Sequence, residues 1–505
     1  MAKSKTAGKD NRTNPWIKLV LILAAILCVV TVLYMILSST GLIARNTTVM
    51  TVGNDKVSAM DMRAYYVATR DSFLSQYGSF LSSYGYDTSS ISTFESQPSL
   101  FDGSQTWKDY FLSSAEQTAY EISLLYQNAK QSGYVMTEED RADVEANMSA
   151  FADAAASYNE YHGTDVTDKS YVRIVYGSGT SLKDMRNYFE KRVIASSYYK
   201  SLLDSFGITD ADVDTYFNEH TEEFTVLDFY RYTVNYQTYT YTEGSAEAGA
   251  PKSEAEAESM TKMAKANAKQ TADAFLATLA EDGSNFDTLA AEYAEAAGDT
   301  VRETWLSEDT PLTSATTAGS GWAANEARKP GDKAVVEDEA TNSYSVFYFL
   351  DRRINDENTV AVRHILFKTD SSADEEALAA AKQSAEDVLA QWKAGAATED
   401  SFAELAKEYS ADGNAFGGGL YTGIYRGQMV AEFQDWCFDE SRKPGDTGIV
   451  KTDYGYHVMY FVENEGPRYL GTIRDTLQTN AYSEWLDGQK TAYPATFHKF
   501  GLTQV

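Results

Sequence analysis

An internal repeat constrains this chain more than any other feature. The stretch Arg328-Lys329-Pro330-Gly331-Asp332 recurs as Arg442-Lys443-Pro444-Gly445-Asp446, each soon after a tryptophan, Trp322 and Trp436. Upstream, Asn285-Phe286-Asp287-Thr288-Leu289-Ala290 matches Ser401-Phe402-Ala403-Glu404-Leu405-Ala406, and downstream Tyr344-Ser345-Val346-Phe347-Tyr348-Phe349 matches Tyr456-His457-Val458-Met459-Tyr460-Phe461. Two related domains therefore follow one another, at 226–352 and 359–464. Two copies exclude a solenoid, which needs roughly three repeats or more to bury a core.

In the second copy, Val360 to Lys368 is a β-branched run, and Asp374 opens a helix with Leu378, Ala381, Ala385, Val388, Leu389 and Trp392 on one face. Gly395 ends that helix, and a shorter one carries Phe402, Leu405, Ala406 and Tyr409. A glycine-rich loop, a third short helix around Phe433 and Trp436, and strands near Gly448 to Thr452 and Tyr456 to Val462 complete the copy. The order βαααββ predicts a small α+β domain around a mixed or antiparallel sheet.

The remaining length leaves room for one more folded unit, since 505 residues at roughly 150 per domain make about three. Residues 50–225 read as mostly helical, with Tyr110, Ala115, Ala119, Ile122, Leu125 and Tyr126 at three- and four-residue spacing. Gly133 closes that helix, Thr137 with Asp140 opens the next, and Thr209 to Val213 starts another after Gly207. Residues 75–106, rich in Ser, Tyr, Gly and Phe without helical period, read as a long loop. Beyond 467, Leu470, Ile473, Leu477, Ala481 and Leu486 make a last helix, whose apolar face needs the helical region as partner.

At the N-terminus the uncharged run from Leu19 to Leu37 is long enough to span a hydrocarbon layer of ~30 Å. Lys3, Lys5, Lys9, Arg12 and Lys18 precede it and only Arg45 closely follows, so the positive-inside bias puts 1–15 in the cytoplasm. The expectation is an uncleaved plasma-membrane anchor at 16–43, with the bulk of the chain outside, at the cell surface or in a periplasm. A net charge of −31 argues against nucleic acid, whose binding needs a basic surface. With 43% hydrophobic residues the chain is too apolar to be disordered. Cys28 and Cys437 cannot build a disulfide framework, and no cluster of metal ligands or cofactor motif stands out.

Of five histidines, His364 and His457 each fall on a predicted strand of the second copy. Period-two alternation sets His364 beside Val362 and Leu366, and His457 beside Met459 and Phe461, so both imidazoles should enter apolar surroundings.

Arg363-His364-Ile365-Leu366, Phe402-Ala403-Glu404-Leu405-Ala406 with Tyr409-Ser410, Gly417-Gly418-Gly419-Leu420, Arg426-Gly427-Gln428-Met429-Val430, Phe433, Pro444-Gly445-Asp446 and Tyr454-Gly455-Tyr456-His457 together resemble the parvulin family of peptidyl-prolyl cis-trans isomerases. The similarity covers almost all of 359–464 in the family's order. One departure is Gly419-Leu420-Tyr421-Thr422, where the family usually has an aspartate and then Leu-Gly. The anchor, the helical region and the last helix resemble, in layout, the membrane-attached exported foldases related to PrsA, SurA and PpiD.

The resemblance implies a multidomain α+β chain: a transmembrane helix, a helical chaperone domain at 48–225 completed by 467–500, a degenerate parvulin-like domain at 226–352 and an intact one at 359–464. It implies an isomerase without cofactor or metal, acting on unfolded exported polypeptides with X-Pro bonds, and leaves a dimer open. By the same resemblance the catalytic group is His364, Asp412, His457 and Thr452, and the substrate pocket Leu420, Gln428, Met429, Phe433 and Phe438. No arginine cluster follows the first strand, which argues against phosphorylated Ser-Pro substrates. The first copy reads as catalytically dead, with Tyr232 and Ser345 where the two histidines would stand and a Ser, Thr and Gly-rich stretch at 307–321. The competing reading is a non-catalytic holdase or assembly scaffold whose parvulin-like domains only bind, which would explain 35 Tyr and 23 Phe.

Overall fold

The computed structural model of the chain describes residues 15–243, 249–315, 321–370 and 373–505. Of the tail expected at 1–15, residues 1–14 lie outside them, as do parts of the low-complexity stretch 243–258 and of 307–321. Contacts divide the chain into two units, 1–207 with 478–505, and 208–477.

Among the described residues no helix is long and apolar enough to cross a membrane. The described helices thus give no support to the anchor expected at 16–43. Pro15–Ser39 is helical.

The first unit is helical, with one small sheet that sequence periodicity does not reveal. Strands β1 (Thr48–Val52) and β2 (Asp55–Ser58) pair antiparallel, and Thr496–Phe497 adds to the other side of β1. The helices that follow owe their starts to one local device. Ser58 with Asp61, Thr106 with Asp109, Thr137 with Asp140 and Ser181 with Asp184 form reciprocal capping boxes at Ala59–Ser83, Trp107–Gln131, Glu138–His162 and Leu182–Ser205. Each satisfies two orphan N–H groups and contributes about 1 kcal/mol. Gly133 and Gly207, at φ +77° and +62°, take the left-handed turn after two of these helices.

The long loop expected at 75–106 is partly helix, since Ala59–Ser83 runs into it and Ile91–Glu95 adds a further turn. Its apolar residues are spread around the helix, so no amphipathic period betrays it. Packing holds it instead: Phe73 lies 5.1 Å from Trp107 and 5.4 Å from Phe111, ring centre to ring centre, and Phe94 stacks on Trp107 at 5.1 Å. At the other end of the chain, Tyr482 and Trp485 of helix Arg468–Ala492 pack against Leu125, Ala195 and Leu202, and Tyr120 donates to the Tyr493 carbonyl at 2.8 Å.

The second unit contains two four-stranded antiparallel sheets of the same design. The first has β3 (Thr225–Asn235), β4 (Leu306–Pro311), β5 (Lys333–Asp338) and β6 (Ser343–Ile354) in the spatial order β4-β3-β6-β5. The second has β7 (Asn358–Lys368), β8 (Leu420–Ile424), β9 (Thr447–Thr452) and β10 (Gly455–Pro467) in the order β8-β7-β10-β9. In each, two helices separate the first two strands: Glu254–Thr278 and Phe286–Ala297, then Glu375–Ala394 and Glu399–Tyr409. The mixed α+β organisation is the one expected, with one addition. The glycine-rich stretch of the second copy delivers an edge strand, β8, so the order is βααβαββ rather than βαααββ.

Candidate active site

The two central strands of the second sheet carry the histidines. On β7, Val360, Val362 and His364 leave the same face; on β10, Met459 lies opposite His364 and Phe461 opposite Val362. These residues join Ile424, Phe433, Cys437 and Val450 in one core, whereas Ile365 and Val458 enter the other, with Val388, Trp392 and Phe402 from the two helices. Strand alternation thus sorts the sheet into a helix-covered face and a histidine face.

On that face the imidazoles meet. Nδ1 of His364 lies 3.1 Å from Nδ1 of His457, and Nε2 of His457 lies 2.8 Å from the Thr452 hydroxyl. Nε2 of His364 is 3.6 Å from an Asp412 carboxylate oxygen, an electrostatic contact longer than a hydrogen bond. That carboxylate favours a proton on Nε2 of His364, leaving its Nδ1 to accept from Nδ1–H of His457. Nε2 of His457 then accepts from the Thr452 hydroxyl, so the network itself assigns the tautomers.

Both rings are uncharged near neutrality. Burial pushes His457 down to about 4, with His364 adding to the effect and Asp412 opposing it. Burial likewise lowers His364 against the pull of Asp412. Burial raises Asp412, but the Asn414 N–H, the Tyr421 hydroxyl and His364 outweigh it and hold the carboxyl below its ordinary value. The site is therefore a neutral imidazole pair with an anion at one end. Phe433 closes it, edge-on to both rings at 5.4 Å from His364 and 5.6 Å from His457.

The structure brings His364, His457, Thr452, Asp412 and Phe433 together, with Met429 and Phe438 packed on the same core. It does not place Leu420 there. Leu420 lies opposite Arg363 and Tyr421 opposite Val362, so Tyr421 shares the histidine face and Leu420 the other. Tyr421 is the residue that sequence reasoning missed. Its ring lies 5.2 Å from His364 and its hydroxyl donates to Asp412 at 2.9 Å. Gln428 is exposed, and its side-chain oxygen accepts the Tyr425 N–H at 3.3 Å. Cys437 is buried, and its thiol is pushed up to about 12, which makes it inert as a nucleophile.

Gly419 fixes the approach of the loop. It sits at φ +65° and accepts the His364 N–H at 2.9 Å, and a Cβ there would stand 2.2 Å from the His364 carbonyl oxygen. Arg363 clamps the same loop, donating to the Gly418 carbonyl at 3.0 Å and to Glu399 at 2.9 Å. Ser410 closes the corner before it, accepting the Leu366 N–H at 3.0 Å, while the Ala411 N–H donates to the Leu366 carbonyl at 2.9 Å.

In the first copy the register corrects the expected replacement by one residue. Arg231 lies opposite Phe347 as His364 lies opposite Met459, and Thr233 opposite Ser345 as Leu366 lies opposite His457. The first histidine therefore corresponds to Arg231, and Tyr232 enters the helix-side core, stacked on Phe275 at 5.2 Å. Asp338 takes the place of Thr452. Arg231 donates to the Ser345 hydroxyl at 3.1 Å, so a guanidinium and a serine stand where the second copy has two imidazoles.

Residues 344–465 match the family model described as the PPIC-type PPIASE domain. The chain is similar to the chaperone SurA of Nitrosospira multiformis, at 36% identity over 121 residues, covering 24% of this chain and 26% of that one. It is also similar to the foldase protein PrsA of Geobacillus kaustophilus, at 30% identity over 157 residues, covering 31% and 48%. Among solved structures, PrsA from Bacillus subtilis aligns at 26% identity and a TM-score of 0.20, over 26% of this chain and 49% of that one. The chain thus spans between about a quarter and a half of the length of the curated relatives it matches. The domain that holds the histidine pair is a parvulin domain of the PPIC type.

Proposed function

We propose that the chain is a peptidyl-prolyl cis-trans isomerase and chaperone that assists exported proteins to fold outside the plasma membrane. The observation that carries this reading is the pair of neutral imidazoles joined at 3.1 Å and closed over by Phe433. Rotation about an X-Pro bond faces a barrier near ~20 kcal/mol, and no bond need be made or broken. The protein has only to favour the twisted amide over the planar one.

Met429, Phe433 and Phe438 supply an apolar seat for the proline ring, with Gln428 at its exposed rim. His364 and His457 are 4% and 5% exposed, so they act beneath that seat as positioning residues. Their dipoles are held in one direction by Asp412 and Thr452, and such preorganised dipoles favour the charge distribution of an amide that has lost resonance. A non-catalytic scaffold would have no need of this arrangement and is the less favoured reading.

The helical region 48–225, with 467–500, serves as the part that holds unfolded clients, and the domain at 226–352 as a further contact surface. Helix Pro15–Ser39, with Leu23, Ile26, Leu27, Val29 and Val30 exposed, tethers the protein to the membrane at 16–43. Retention in the membrane pellet after alkaline carbonate extraction supports the tether, and release to the supernatant refutes it.

Catalysis is tested by the isomerisation of a proline tetrapeptide by the full chain beside His457→Ala and Met429→Ala. Acceleration by the parent that both variants lose supports the reading. Acceleration that survives both places the site elsewhere, and none from the folded parent removes the isomerase.

A further inference from the structure

The first sheet leaves open an edge that the second one closes. In the second copy the Ser410 to Ala411 corner satisfies both backbone groups of Leu366. In the first, Thr233 takes the place of Leu366 and Ala294 that of Ser410, so the hydroxyl that would accept the strand's N–H is gone. The chain after Ala294 also turns away, with the Asp299 N–H returning to the Ala294 carbonyl at 2.9 Å.

Odd-numbered residues of β3 point their backbone groups away from β6. The Arg231 N–H donates to the Trp305 carbonyl at 3.1 Å, the last bond on that side. Beyond it the N–H and C=O groups of Thr233 and Asn235 have no partner among the described residues. They face a cleft of about 570 Å³ whose charged lining groups are Arg231, Arg302 and Asp299. Arg231 uses only Nε, for Ser345, and its two Nη groups have no hydrogen-bond partner among the described residues. Arg302 is exposed and makes no ion pair among the described residues. Asp338, outside that lining, acts on Arg231 electrostatically and offsets part of its charge; the unbonded Nη fork and Arg302, beside unpaired strand backbone, define what fits.

We propose that this edge binds an extended polypeptide segment bearing an acidic side chain. The segment continues the row of β4, pairing with the backbone of Thr233 and Asn235 as an added strand. The side chain opposite Thr233 falls on the Arg231 face of the sheet. A carboxylate there meets the free fork of Arg231, with Arg302 at the mouth of the cleft. Backbone pairing makes the site tolerant of sequence, and the two arginines make it selective for acidic segments. The proposal deepens the chaperone part of the function given above and is independent of the isomerase part.

The test uses the full chain and a fluorescein-labelled heptapeptide, Ala-Val-Thr-Asp-Val-Thr-Ala, followed by anisotropy. Two further peptides carry Asn for Asp, or N-methyl groups on alternate amides. Binding of the Asp peptide should weaken about tenfold or more with either altered peptide and with Arg302→Ala, the scale of one charge-assisted bond. Arg231→Lys, which keeps the charge but not the fork, should also weaken it. No binding of the Asp peptide overturns the proposal, as does equal binding of the Asn or N-methylated peptide, or undiminished binding by Arg302→Ala. Proline isomerisation, assayed on the same samples, should be unchanged in Arg302→Ala. If the parent chain binds the peptide but does not isomerise, the isomerase reading fails and this one stands.

Discussion

Acid should destabilise the second parvulin-like domain through its buried histidines, and the size of the effect follows from His457. In the folded chain burial and the neighbouring His364 push that imidazole down to about 4, whereas in the unfolded chain it titrates near ~6.5. Between these values the unfolded state binds more protons than the folded one. The stabilising contribution is therefore whole above about pH 6.5, shrinks as the pH falls through that window and is gone near 4. Converted at 1.36 kcal/mol per unit, the difference is about 3 kcal/mol, a large part of the stability of a domain this size. Urea unfolding of a fragment covering 355–467, followed by the fluorescence of Trp392 and Trp436, measures it. Run beside His457→Gln, the comparison cancels the carboxylates common to both proteins. The parent should lose about 3 kcal/mol more than the variant between pH 7 and pH 4. Equal losses, or a His457 ¹³Cε1 resonance that titrates near 6.5, would refute the assignment of a neutral, desolvated pair.

Other perturbations reach the same site from different sides. Gly419→Ala forces a Cβ against the His364 carbonyl in left-handed backbone, and should cost about 2 kcal/mol or more of domain stability in the same unfolding assay. Phe433→Ala opens the roof over both imidazoles; it should cost about 3 kcal/mol and raise the His457 midpoint seen by NMR. Tyr421→Phe removes one bond to Asp412; a loss of about 1 kcal/mol and an upward shift of the Asp412 carboxyl are expected, the latter read from its ¹³C resonance. Thr137→Ala removes a capping box in the helical unit and should lower its thermal stability by about 1 kcal/mol, with no effect on proline isomerisation.

What the amino-acid sequence determined by itself is whatever depends on neighbours along the chain. Alternation on β7 and β10 put His364 with Val362 and His457 with Phe461 on a shared face, because successive strand side chains point to opposite sides. The reciprocal Thr137 and Asp140 cap is local in the same way, and so is the repeat that announced two related sheets. Tertiary structure decided the rest. Whether Leu420 or Tyr421 faces the histidines, and whether Tyr232 or Arg231 replaces the first of them, hangs on cross-strand register, and a slip of one residue exchanges the faces of a strand. The 3.1 Å contact between two Nδ1 atoms joins residues 93 positions apart, which no local period encodes. Helix Ala59–Ser83 ran on through a stretch without amphipathic pattern because Phe73 found Trp107 and Phe111. The open edge at Thr233 is likewise a fact of the fold: a strand's unpaired groups are defined by which neighbour is missing, and a missing neighbour leaves no mark on the strand's own residues.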